Sequence, residues 1–313
     1  MMVCGRGYRI GIAGLALVLG AAAPQAPPVF LSDSRLAPVH AGPESLAASE
    51  DPSTRLTIPV TINGTGPYHF VVDTGANRTV ISRELAARLK LSAGPQISMD
   101  DALGKVDVET VFLDRLEVGR REIRGIDAPI LPAASLGADG MLGIDSLHNQ
   151  HVVMEFDEKK FLIGEAAEDA DEFNLNTTVV HGRRRFGQLV LVDAESQAVP
   201  IFVILDSGAQ NTIGNEALRR LMTFGPPQSG HLPVDILISV TGRHAPAELD
   251  RMPEIQFSGI KMQNVPIAYA DLHTFTQFGL DDRPALLLGM DVLHIFRRVG
   301  IDFRRREVVF VTY

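Results

Sequence analysis

One short unit occurs twice in this chain, and that repetition limits the fold more than any other feature. Asp73-Thr74-Gly75 ends the apolar run Phe70-Val71-Val72, and Asp206-Ser207-Gly208 ends Val203-Ile204-Leu205. Ala76 and Ala209 follow, and the pairs Thr79-Val80 and Thr212-Ile213 then lead into short helical patterns. Further along, Met141-Leu142-Gly143-Ile144-Asp145-Ser146-Leu147 matches Leu287-Leu288-Gly289-Met290-Asp291-Val292-Leu293. Each is trailed by an apolar strand pair around a charged turn, Val153–Asp157 with Phe161–Ile163 and Val299–Phe303 with Val308–Phe310. The interval from Asp206 to Gly289 is longer than that from Asp73 to Gly143, as in a duplication with an insertion in its second copy. A repeat on this scale means two like domains, each built around its own Asp loop.

Local patterning is that of strands. Leu56-Thr57-Ile58-Pro59-Val60-Thr61-Ile62 alternates with period two and stops at Asn63-Gly64, a tight-hairpin signal, with His69–Val72 as the return strand. Further strands are predicted over 106–111, 116–118, 123–130 and 152–156. In the second half they fall at 178–180, 188–192, 200–205, 236–240, 247–249, 254–257, 265–268 and 308–311. Helical spacing is confined to 83–89 and 215–221, with a short piece at 272–278. The fold class is therefore all-β. Domains are expected over 54–166 and 174–313, each long enough for its own core.

An aspartate at the end of a strand, followed by a hydroxyl and a glycine, is a way to present a carboxyl on a tight loop. Gly75 and Gly208 let the backbone turn sharply and let a second backbone come close. The hydroxyls of Thr74 and Ser207 are placed to hydrogen-bond across to the opposite loop. Two carboxyls about 3 Å apart cannot both ionise comfortably, so they share one proton. The ionised member takes a proton from a bound water and the protonated member donates to a substrate carbonyl. Asp73 and Asp206 are the candidate catalytic pair, and their proton belongs to the pair. This chemistry requires neither a cofactor nor a metal.

The residues Val72–Ser82 with Met141–Asp145, and Leu205–Ile213 with Leu287–Asp291, resemble those of the retropepsin-like aspartic proteases. The likeness is to the bacterial exported type with two retroviral-protease-like domains in tandem, and it covers the chain from about Arg55 to Tyr313. The resemblance implies a closed β-barrel in each half and a pseudo-two-fold bilobal protease with its cleft between the halves. Gly143 and Gly289 would be the glycines of the crossed template beneath each aspartate. It also implies β-hairpin flaps, for which the best tips are Ala102–Lys105 and Thr241–His244, with Gly104 and Gly242 as flap glycines. One departure stands out. Viral members carry an Arg after the template glycine, paired with an acid near the catalytic loop, where this chain has Ile144 and Met290. The brace between halves must therefore be built otherwise, with Arg78 to Asp145 as the candidate. Asp145 and Asp291 are read as caps of the turn after the glycine, not as further catalytic acids.

Residues 1–26 have the pattern of a secretory signal: Arg6 and Arg9, the apolar stretch Ile10–Leu19, then Gly20-Ala21-Ala22-Ala23. That stretch is short for a bilayer span, so no stable membrane span is expected once the leader is cut. Residues 27–53, rich in Pro, Ala and Ser, read as a flexible linker. The single cysteine, Cys4, lies before the apolar stretch, so the mature chain has no disulfide. A periplasmic or secreted location follows from the leader. The net charge of −9 argues against a nucleic-acid partner, whose affinity depends on cations. Arg183–Arg185 and Arg304–Arg306 read as solvated turns, and His148 with His151 lacks a third ligand for a metal. The expected function is an aspartic endopeptidase acting on exported or envelope polypeptides, as a monomer with an intrachain active site. The alternative is a catalytically silent peptide-binding or scaffolding module of the same fold.

Overall fold

Alternation sets the first strands as the sequence predicts. In the computed structural model, which describes residues 9–11, 44–147, 150–164, 177–185, 188–222 and 234–313, Leu56–Ile62 and Thr65–Val72 form a hairpin. Its turn residues Asn63 and Gly64 both have positive φ, 49° and 78°, the conformation a two-residue turn needs. Leu56, Ile58, Val60 and Ile62 point into the core. The sheet continues through Gly140–Leu142, which runs parallel to Thr65–Val72, then through Val80–Ser82, Arg121–Leu131 and Thr110–Val118. Thr110–Val118 pairs back onto Leu56–Ile62 and closes the barrel.

The second half repeats this order. Val199–Leu205 lies parallel to Ala285–Leu288, which pairs with Ile213–Gly214, which pairs with Ile260–Tyr269. Ile260–Tyr269 pairs with His244–Phe257, and that strand reaches Gln188–Ser196 to close the second barrel against Val199–Leu205. Two six-stranded barrels in tandem result. Each predicted short strand is part of a longer one where barrel closure supplies partners. The strands expected at 247–249 and 254–257 are one strand, His244–Phe257. The one expected at 106–111 is instead broken at Glu109, between a flap strand, Gly104–Val108, and a barrel strand, Thr110–Val118. The three helices form at Arg83–Arg88, Glu216–Met222 and His273–Gln277.

A second sheet joins the halves. Thr177–Arg185, Glu307–Val311, Arg298–Asp302, His151–Glu155, Lys160–Gly164 and Glu44–Ala47 lie side by side, all antiparallel. Glu44–Ala47 corrects the linker expected over 27–53. Its residues alternate between half-buried and exposed, pair with the strand containing Phe161, and are followed by Ser49–Glu50 against Leu56–Ile62. Four residues within a stretch rich in Pro, Ala and Ser are too few to show a period. The rest of that linker and most of the leader lie outside the described residues, apart from Arg9–Gly11, which runs parallel to Val234–Ile238. One apolar cluster runs from Phe70 through Phe156 and Phe161 to Phe257 and Phe310, so barrels and shared sheet have a common core.

Candidate active site

Each aspartate is delivered by a strand and held by the template beneath it. Asp73 N–H donates to the Leu142 carbonyl (3.0 Å) and Asp206 N–H to that of Leu288 (3.1 Å). Ile144 N–H then reaches Ala76 O (2.8 Å), and Met290 N–H reaches Ala209 O (2.9 Å). Gly143 and Gly289 sit where these chains cross. A Cβ on either would lie 2.5 Å from the backbone of Arg78 or Asn211, so only glycine fits. The repeat seen in sequence is thus a repeat of one crossed backbone motif.

The two loops interlock through their hydroxyls. Ser207 Oγ donates to Val72 O (2.9 Å) and accepts from Thr74 N–H (3.0 Å). Thr74 Oγ1 donates to Leu205 O (3.2 Å) and accepts from Ser207 N–H (3.1 Å). Gly75 is required by closeness: a Cβ there would stand 2.7 Å from the Asp206 carboxyl carbon. The loops meet with no room for a side chain between them.

Both carboxyls are fully shielded from solvent. Oδ1 of Asp73 accepts from the N–H groups of Gly75 (2.7 Å) and Ala76 (2.9 Å), and Oδ1 of Asp206 from those of Gly208 (3.0 Å) and Ala209 (3.1 Å). Each Oδ2 is left with no other fixed partner. Burial, and then the charge of Asp206, push Asp73 well above the ordinary carboxyl range. Burial raises Asp206 to about 6, against the pull of the Gly208 and Ala209 amides and a hydrogen bond from Asp73. A pair raised in this way carries one proton between its members over a wide pH range.

Two further hairpins stand at the positions expected for flaps. The hairpin Ile97–Asp101 with Gly104–Val108 extends from the first half, and Val234–Ile238 with the start of His244–Phe257 extends from the second. Gly104 (φ 118°) and Gly242 (φ 83°) lie at the two turns. The tips cross and grip each other. Asp101, fully buried, receives the Arg243 guanidinium and the Thr241 hydroxyl, and Arg243 also donates to Gly104 O. Next to it, Asp100 faces His273 Nε2 at 3.0 Å, and His273 N–H donates to Ala102 O at 2.9 Å. Ala102 belongs to the apolar cluster of the second half with Leu237, Leu272 and Phe275, while Val240 packs with Met99 and Leu136 of the first.

Of the residues expected at the site from sequence, Asp73, Thr74, Gly75, Asp206, Ser207 and Gly208 meet where the loops interlock. Gly143 and Gly289 lie against the chain after each loop, and Gly104 and Gly242 lie at the turns of two hairpins that contact each other. Sequence reasoning missed the ion pairs at the flap tips and the buried residue Arg55. Arg55 Nη1 reaches the Gly208 carbonyl in the other half at 3.2 Å, and this is a contact that crosses between halves. Asp145 instead accepts from the Thr79 N–H and hydroxyl (2.9 and 2.7 Å), and Asp291 likewise from Thr212 (3.1 and 2.7 Å). These aspartates tie the chain after each catalytic loop to the template, which is more than the turn caps expected of them. Arg78 contributes its charge near Asp145 within the same half. The lone basic residue at the head of an apolar strand, with Asp51 four residues before it, was the available signal for Arg55.

Among the described residues no cluster of His, Cys, Asp or Glu is arranged to hold a metal, and no helix is long and apolar enough to cross a membrane. His148 lies outside the described residues. Two family models match the chain in tandem: "gag-polyprotein putative aspartyl protease" over residues 58–149 and "Aspartyl protease" over residues 192–292. Each match takes in one Asp loop with its template glycine, Asp73 with Gly143 and Asp206 with Gly289. Among curated proteins none matches the chain.

Proposed function

Because the chain is a tandem pair of retroviral-like aspartyl protease domains, we propose that it is an aspartic endopeptidase whose catalytic pair is Asp73 and Asp206, one from each half. The observation that carries this reading is the meeting of the two loops within a single chain, with both carboxyls buried and both raised. An extended polypeptide lies between the pair and the flaps. The ionised carboxyl removes a proton from a water held between the two. The protonated carboxyl donates to the scissile carbonyl as the water oxygen adds to carbon, giving a tetrahedral diol. Collapse of the diol returns a proton to the leaving nitrogen. The amides of Gly75, Ala76, Gly208 and Ala209 fix both carboxyls in position before substrate arrives, so no reorganisation is needed during reaction.

The substrates are exported or envelope proteins, and the enzyme works in the periplasm or outside the cell. The support for this is the secretory pattern of residues 1–26 and the absence of cysteine after Cys4. The test uses protein lacking residues 1–26 and its Asp73→Asn and Asp206→Asn variants, each incubated with a diverse peptide library from acidic to neutral pH. Cleavage that is blocked by a statine-type inhibitor and lost in both variants is expected. A folded protein that cuts nothing at any pH would defeat the proposal.

A further inference from the structure

Arg55 is buried to 1% exposure, and each nitrogen of its guanidinium has a partner. Nε donates to Asp51 Oδ2 at 2.8 Å, Nη2 donates to the same carboxylate and to Leu136 O, and Nη1 donates to Gly208 O at 3.2 Å. The site is built to receive it. Asp51 is fixed by the Ser53 and Arg55 amides (2.9 and 2.8 Å), and Asp51 N–H returns to Arg55 O at 2.9 Å. Gly137 ends the short helix Ala133–Leu136 with φ 73°, and a Cβ there would fall 2.6 Å from Nη2 and 2.8 Å from Asp51 Oδ2. Thr54, in the same loop, offers its carbonyl to His294 of the second half at 2.8 Å. A segment of the first half thus reaches across and holds the floor of the second catalytic loop.

Gly208 is the glycine of the second Asp-Ser-Gly loop, and its N–H positions Asp206 Oδ1. Its carbonyl, on the other side of the same residue, is where Arg55 attaches. A cation so close also bears on charge. Two carboxyls in a dry site drift toward double protonation, which would leave no base for the water. The charged groups around the guanidinium are Asp51, in contact, and the pair Asp73 and Asp206, both of which it draws downward against burial.

We propose that Arg55 is the positioning residue of the Asp73–Asp206 pair: its guanidinium pins the second loop to the first half through the Gly208 carbonyl and supplies the fixed positive charge that keeps one carboxyl ionised. Asp51 holds the guanidinium in place. This inference rests on the reading of the pair as catalytic, so its first readout is the protonation of the pair itself. Protein with 13C-labelled aspartate carboxyls is titrated by NMR, and the pH profile of peptide cleavage is recorded beside it.

Two variants separate charge from geometry. Asp51→Asn/Arg55→Gln removes both charges while retaining hydrogen-bonding groups, and the midpoints of the pair and both limbs of the activity profile should move up by about one pH unit. Arg55→Lys keeps the charge but loses the fork, so midpoints should stay within about 0.3 unit while kcat falls about tenfold. Midpoints unmoved in the double variant, or moved as far in Arg55→Lys, would overturn the electrostatic role. Parental kcat in Arg55→Lys would overturn the positioning role. Should the double variant fail to fold, Arg55→Gln alone takes its place in the titration, with the same upward shift expected and unmoved midpoints overturning the electrostatic role. A parent protein whose pair titrates as described but which cuts nothing would defeat the protease reading while leaving the titration to judge Arg55.

Discussion

The Thr74→Val substitution isolates the interlock between loops, because valine has nearly the shape of threonine and removes only the hydroxyl. In the parent, Thr74 Oγ1 donates to Leu205 O and accepts from Ser207 N–H, both buried, at 3.2 and 3.1 Å. The variant leaves that carbonyl and that amide without partners, at about 1–3 kcal/mol each, so stability should fall by about 2–6 kcal/mol. At about 2 °C per kcal/mol for a chain of this size, the melting temperature should fall by about 4–12 °C. Scanning calorimetry measures it. Ser207→Ala should cost a similar amount alone but much less on top of Thr74→Val, since the hydroxyls form one network with Oγ to Oγ1 at 3.3 Å. Cleavage should drop in step, because the same bonds set the distance between the carboxyls. A Thr74→Val protein that melts within about 1 °C of the parent would refute the reasoning, since an interlock with no energetic weight cannot position the pair.

Other consequences can be measured with the same material. Both carboxyls of the pair are raised above their ordinary value of 3.8, so the stability they contribute is complete below that value and is lost as pH rises, for Asp206 through about 6. Asp73→Asn/Asp206→Asn should therefore be more stable than the parent by roughly 2 kcal/mol near pH 8 and gain little near pH 4, and an equal gain at both would contradict the shifts. Gly75→Ala places a methyl 2.7 Å from the Asp206 carboxyl carbon. It should cost at least about 100-fold in kcat/KM, and near-parental turnover would mean the loops are further apart than described. Arg243→Met removes the flap-tip contact to Asp101 and Gly104 O. A statine-type inhibitor should then associate about tenfold faster in stopped flow, whereas an unchanged rate would show that the latch does not limit access.

Much of this architecture could be read in the sequence because it is repeated. The apolar run before each aspartate, the small residue after it and the glycine in the later Leu-Gly segment are fixed by backbone crossings that tolerate no other side chain, as Gly143 and Gly289 show. Strand limits were less legible: Thr110–Val118 and His244–Phe257 are extended by barrel partners far away in sequence, and local alternation does not foresee that. Glu44–Ala47 was hidden because it is four residues long within a stretch rich in Pro, Ala and Ser that shows no sustained period. Arg55 and Asp51 were harder still, since a charged pair in a stretch rich in Pro and Ser has the composition of a surface loop. It is buried between the Leu136 carbonyl of the first half and the Gly208 carbonyl of the second. The same holds at the flaps, where Asp101 and Arg243 look like ordinary hairpin charges until the tips cross.

The central claim, that one chain supplies both members of the pair, is tested most directly by complementation. Asp73→Asn and Asp206→Asn proteins, each inactive, are mixed and also co-expressed, and cleavage is measured against the parent at equal concentration. The account predicts that the mixture stays inert, because each chain pairs its own Asp73 with its own Asp206. Recovered cleavage would mean that intact loops from different chains meet, and the intrachain site would be wrong.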